Sequence, residues 1–243
     1  MEVHHHPEVE KKGIKEYILE GLMIFVAVMM GFFAESIREN ITNGEHVKQL
    51  TTQLVHDLKS DTVALDEIDS AETLILKKTD TLSGILQQPM ANIDMKKMQL
   101  LIIACYSQWP FYPSLGGAAA IKNELHLKQF SNSKINNYLT GYEARTAILH
   151  KIEDIHSKLI SDHIEGFFRL HFTPANLTRA LDHKPVVDGQ MRDLTQKDLT
   201  QLAADLVLIR NINSIMITYN RRLNAQAIEL IDYVKKQYNP EDE

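Results

Sequence analysis

The stretch from Tyr17 to Ala34 reads YILEGLMIFVAVMMGFFA, with Glu20 as its only charge. As a helix rising about 1.5 Å per residue it spans about 27 Å, close to the roughly 30 Å hydrocarbon core of a bilayer. Two other readings compete, a buried core helix and a cleaved signal peptide. Cleavage needs small residues at −3 and −1, and a cut after Ala34 would put Phe32 at −3. The stretch therefore predicts an uncleaved signal-anchor helix within residues 14–39. Lys11, Lys12 and Lys15 precede it closely, whereas only Arg38 follows it closely. That bias of positive charge predicts a cytoplasmic tail over residues 1–13 and an extracytoplasmic domain over residues 40–243.

At about 100° per residue, Glu20, Ala27, Gly31 and Ala34 share one face of the span. Phe25, Val26, Met29, Phe32 and Phe33 share the other. Small residues let a second helix approach closely, which makes Glu20, Ala27 and Gly31 candidate partner-contact residues. The competing reading is that Glu20, near the cytoplasmic end, snorkels to the interface.

Downstream of the span, apolar residues recur at helical spacing. Val47, Leu50, Leu54, Leu58, Leu65, Ile68, Ile75, Leu82 and Leu86 form one stripe over Glu45 to Gln88, with gaps mostly of three, four and seven. Asn43-Gly44 predicts a loosened junction with the anchor, and Pro89 a stop. Shorter helices are expected from Ile93 to Trp109, with Asn92 as N-cap, and from about Ser114 to Phe130. A long stripe from Ser133 to His171 includes Ile135, Leu139, Tyr142, Leu149, Ile152, Leu159, Phe167 and Leu170. Thr173 to Met191 is expected to be a loop. A capping box with Asp in place of Glu, Thr195 to Asp198, then opens a last helix to about Tyr238. Its stripe runs through Leu199, Leu202, Leu206, Ile209, Ile212, Met216, Leu223, Leu230 and Val234. The expected fold class is all-α: one transmembrane helix followed by an elongated antiparallel helical bundle, the economical way for such stripes to bury one another.

Composition agrees with long helices. Ten glycines and seven prolines in 243 residues fall well below the combined usage of about 12% in average proteins. The net charge of −6 argues against nucleic acid as a partner, and a single cysteine excludes an intrachain disulfide framework.

The run from Lys15 through Gly31-Phe32-Phe33-Ala34-Glu35-Ser36-Ile37-Arg38-Glu39, the stretch LVHDLKSDT from Leu54 to Thr62, and the segment YPSLGGAAAIKN from Tyr112 to Asn123 resemble a family of uncharacterised bacterial single-pass membrane proteins. Its members share a His/Lys-rich start, a GFFAE-type anchor end and a helical outer domain. Ala118 to Ala120 depart from the bulkier mix usual in that family. The resemblance implies a bacterial inner-membrane location with a periplasmic domain. It implies no catalytic mechanism.

Chemistry is sparse. Glu153-x-x-His156 is the half-motif of a di-iron bundle, but no second copy accompanies it, so a solvated or half-buried polar edge is the favoured reading over a metal site. His4, His5 and His6 are consecutive yet lack an acidic or cysteine ligand set. Cys105 lies in an apolar stripe, as a packing residue rather than a nucleophile. No cofactor or metal is expected. The loop Trp109-Pro110-Phe111-Tyr112-Pro113 stands out: it holds the only Trp, two further aromatics and two prolines. Stiff aromatic loops either plug a core or contact a partner, so Trp109, Phe111 and Tyr112 join the candidate partner-binding residues. The leading expectation is a non-enzymatic accessory or scaffold protein bound to the bilayer, with another membrane protein or a second copy as partner. The alternative is a ligand-sensing bundle acting through a membrane partner; an enzyme such as a metal-dependent oxidase comes third.

Overall fold

The computed structural model describes residues 13–131, 134–182 and 184–240. The expected tail over residues 1–13, with His4, His5 and His6, falls outside them but for Gly13. All regular elements among the described residues are helical; an isolated antiparallel bridge, Phe172 to Met191, is the only strand-like pairing. The chain divides after Gln49 into two compact units.

Helix α1, Ile14–Leu86, begins in the first unit and supplies the first helix of the second. It contains a window of mean hydropathy 2.1 that is long and apolar enough to cross a membrane, and none of that window is buried within the chain. Asn43-Gly44 does not interrupt it, contrary to expectation. A single Gly in a helix interior costs only about 1 kcal/mol relative to Ala, and the flanking turns are well formed. The helix stops at Leu86 and Pro89 leads a 3-10 turn, Met90–Asn92.

The remaining elements belong to the second unit. Helix α2, Met95–Tyr106, is capped by Asp94, whose carboxylate accepts from the Lys97 amide at 3.0 Å. Asn92 is therefore not the cap; it sits inside the 3-10 turn. The helix expected from Ser114 to Phe130 is broken into α3, Gly116–Asn123, and α4, Lys128–Ser131. Helix α5, Ile135–Leu159, continues through a π-helical turn, Ile160–Glu165, into α6, Gly166–His171. The wider turn shifts the inward face, so Ile160, Ile164, Phe167 and Phe168 are buried while Leu170, expected inside, is 67% exposed. The Thr173–Met191 segment is not all loop. Thr173 caps a short helix α7, Pro174–Leu181, with Pro at its first position. Helix α8, Gln196–Tyr238, opens on the expected capping box: Thr195 accepts from the Asp198 amide and Asp198 accepts from the Thr195 amide.

Two long helices, α1 and α8, share one rule. In α8 one buried seam runs Leu199, Leu202, Leu206, Ile209, Asn213, Met216, Asn220, Leu223, Ala227, Leu230 and Val234, with Asp205 and Ile217 buried beside it. In α1 they include Leu54, Leu58, Asp61, Leu65, Ile68, Glu72, Ile75, Thr79, Leu82 and Leu86. Along both seams steps of three and four alternate, which is the 3.5-residue period of helices packed at a shallow left-handed angle. Ile212, expected inside, yields its place to Asn213. Cross-helix bonds set the register. Arg210 pairs with Asp80, Arg221 with Asp69 and Asn224 with Asp66, in opposite order along α8 and α1. Helix α5 faces α8 in the same opposed sense, through Lys134 with Tyr233, Tyr138 with Glu229 and His163 with Asp205. One apolar core cluster joins the end of α1, α2, the π-turn with α6, and the first half of α8, around Leu82, Ile102, Phe168, Phe172 and Leu206.

Candidate functional site

Two polar constructions interrupt the apolar packing. The first joins LVHDLKSDT to the glycine-containing segment. The Asp57 carboxylate accepts from the Gly117 amide at 2.7 Å. Asp61 accepts from the Ser114 amide at 2.8 Å and from the Tyr142 hydroxyl at 2.7 Å. Asp57 thus serves a first-turn amide of α3, where a helix leaves its N–H groups without internal partners and favours negative charge, and Asp61 holds the segment that leads into it. The approach is close: a Cβ on Gly117 would stand 2.6 Å from Leu54 Cα, so only glycine fits there. Burial raises the Asp61 carboxyl above its ordinary range, opposed by the bonds from Ser114 and Tyr142. Burial and the neighbouring Asp61 push the Tyr142 hydroxyl up. Two of the stretches quoted for the family resemblance are therefore the two sides of one structural contact.

The second construction lies further along α1, α5 and α8. Glu72 is fully buried and neither carboxylate oxygen has a partner. Burial, with help from the Glu153 carboxylate, pushes its carboxyl up to about 7. Asn213 and Asn220 are buried with both amide atoms unpartnered, and His156, 1% exposed, leaves Nε2 without a partner. Burial holds His156 down to about 4, so the ring is neutral. Each such orphaned group costs about 1–3 kcal/mol, so this layer is a concentrated departure from an apolar core.

Above it sits the aromatic loop. Phe111, 1% exposed, plugs the interior, whereas Trp109 and Tyr112 are 52% and 80% exposed. The Phe111 backbone is clamped at both ends by α5. Glu153 accepts from its amide at 2.9 Å, and His150 Nε2 donates to its carbonyl at 3.0 Å. Burial raises the Glu153 carboxyl, opposed by the Phe111 amide. A cavity of about 470 Å³ lies between loop and helix, lined by Trp109, Phe111, Tyr112, Glu153, His156 and Met216 among others.

The residues singled out in the sequence are thereby distributed over two places. Trp109, Phe111 and Tyr112 meet at this cavity; Glu20, Ala27 and Gly31 lie on the exposed apolar stretch of the first unit, with open space around Gly31. Glu153 and His156 both reach the cavity, but Glu153 is bonded to the loop and His163, one helical repeat on, is paired to Asp205 at 3.2 Å. Among the described residues no three His, Cys, Asp or Glu side chains are grouped to hold a metal ion. Cys105 is buried against the Thr79 hydroxyl at 3.2 Å, and burial pushes its thiol up to about 11, which suppresses the nucleophilic thiolate. Asp57, Asp61, Glu72, Asn213 and Asn220 were not singled out in the sequence. Asp61, Glu72 and Asn220 fall in the sevens of the apolar stripes, at the missing core position, whereas Asp57 and Asn213 sit beside apolar residues that the stripes already claim.

No protein-family model, curated protein or solved structure matches the chain.

Proposed function

We propose that the protein is a single-pass inner-membrane accessory or scaffold protein, without catalysis, whose C-terminal part is a periplasmic interaction domain folded as an elongated antiparallel helical bundle. The observation that supports it best is the apolar window of α1, none of it buried within the chain. Exposed apolar area of that extent calls for lipid or protein to cover it. The Lys11, Lys12 and Lys15 cluster supports a cytoplasmic N-terminus. The opposed order of the α8 bonds to α1 and α5 supports the bundle. Within the bilayer, the Glu20, Ala27 and Gly31 face is the docking face, against a second copy or another membrane protein, because small residues permit close helix contact and an ionisable residue favours protein or water over lipid. Nucleic acid is not a partner.

A reporter active only in the periplasm, fused after Glu243, tests the topology. It should be active, and activity of a cytoplasm-only reporter at that position would reverse the reading. Co-purification from native membranes should bring down one membrane protein, or the same chain, in fixed stoichiometry.

A further inference from the structure

The cavity under the aromatic loop has features that packing does not explain. His156 is almost wholly buried and lines the cavity, and its Nε2, shut off from solvent, has no partner. No Lys or Arg lines it, whereas Glu153 and Asp154 do. Behind it, Glu72 lies level with Glu153 and carries two further unpartnered carboxylate oxygens. The walls are Trp109, Phe111, Tyr112 and Met216, and the volume falls within the about 300–1,000 Å³ of small-molecule sites.

Anions are opposed by two lining carboxylates with no Lys or Arg beside them. A bare metal ion lacks a ligand set. A neutral ligand would leave the negative field unused. An organic cation meets every feature: aromatic faces attract it, a carboxylate pairs with it through charge-assisted hydrogen bonds, and an apolar tail covers Met216 and the Trp109 ring. N–H donors are required, because the lining carboxylates of Glu153 and Asp154 can accept. We propose that this cavity binds a small primary ammonium compound with an apolar chain, its N–H groups donated to the Glu153 carboxylate and its hydrocarbon laid against Trp109, Tyr112 and Met216. The inference goes beyond the interaction role and does not depend on it. Burial raises the Glu153 carboxyl, and a cation beside it opposes that shift.

Trp109 is the only tryptophan of the chain, so its fluorescence reports the site directly. The experiment titrates the full-length protein, in uncharged detergent micelles at pH 7.5 or so, with hexylammonium, 1-hexanol and hexanoate. Hexylammonium should give a saturable change in Trp109 emission, 1-hexanol at least tenfold weaker binding, and hexanoate none. Glu153→Gln keeps an acceptor for the Phe111 amide and should weaken hexylammonium at least tenfold. Tyr112→Ala alters a side chain that is 80% exposed, should leave folding intact, and should weaken binding several-fold. The proposal is overturned by a non-saturating response, by 1-hexanol or hexanoate binding as well as hexylammonium, or by a Tyr112→Ala affinity equal to wild type.

Discussion

Replacing Glu72 by Gln should change how stability depends on pH, by an amount the structure sets. Glu72 is fully buried without a partner, and its carboxyl sits at about 7 against 4.5 for the free group. Because the folded value is the higher, the folded chain keeps a proton that the unfolded chain releases above 4.5. The penalty is absent below pH 4.5, grows as pH rises, and is complete above about 7. At about 1.4 kcal/mol per pH unit, it reaches about 3 kcal/mol. His156 acts in the opposite sense: burial holds it at about 4 against 6.5, so its contribution is present above 6.5 and is lost as pH falls through 4. The two slopes oppose each other between pH 4.5 and 6.5, which makes the wild-type profile flatter there than either group alone. The informative quantity is therefore the difference between Glu72→Gln and wild type. Measured by urea unfolding of the full chain in micelles, it should grow in favour of the variant by about 1.4 kcal/mol per pH unit from 4.5 to 7, then level off. In melting temperature the plateau corresponds to about 6–12 °C for a domain of this size. Parallel curves for the two proteins across that range would refute the burial of an unpartnered Glu72.

Gly117→Ala should destabilise the chain by about 1–3 kcal/mol through overpacking, because the new Cβ would meet the Leu54 backbone at 2.6 Å; an unchanged melting curve would remove the α1–α3 contact. Phe111→Ala should lower stability by about 3–5 kcal/mol, while Trp109→Ala and Tyr112→Ala, both exposed, should shift it by no more than about 0.5 kcal/mol. Equal losses at all three positions in thermal melts would contradict the division of the loop into a plug and an exposed rim.

The long helices were legible because their apolar residues keep a helical period over many turns. The same counting of apolar residues hid the polar positions of that period. Leu65, Ile68 and Ile75 were readable as a stripe, but Glu72 between them was not, since nothing local distinguishes a buried glutamate from a solvated one. In α8 the rule favoured Ile212 over Asn213 for the same reason, and the structure buries the asparagine. The π-turn at Ile160–Glu165 leaves no local signature, so Leu170 was placed on the wrong face. Short helices failed where capping decided: Asp94 rather than Asn92 starts α2, and Thr173-Pro174 starts α7 inside an expected loop. At the candidate site the aromatic loop was legible from composition. Its clamps, Glu153 and His150, lie about forty residues away in sequence, and such long-range pairings have no local trace. The role of Asp57 and Asp61 was equally hidden, although the stretches that meet through them, Leu54 to Thr62 and Tyr112 to Asn123, were both quoted as family-like.

On the proposed function, the protein is held in the membrane and docks through one face of its span. Single cysteines placed along residues 18–34 in a Cys105→Ser background, cross-linked in native membranes, test it directly. Cross-links should peak at Ala27 and Gly31, on the small-residue face, and Gly31→Leu should abolish them by blocking close helix approach. A flat profile, or a peak at Val26 and Met29 on the bulky face, would contradict the docking face and leave the segment a plain tether.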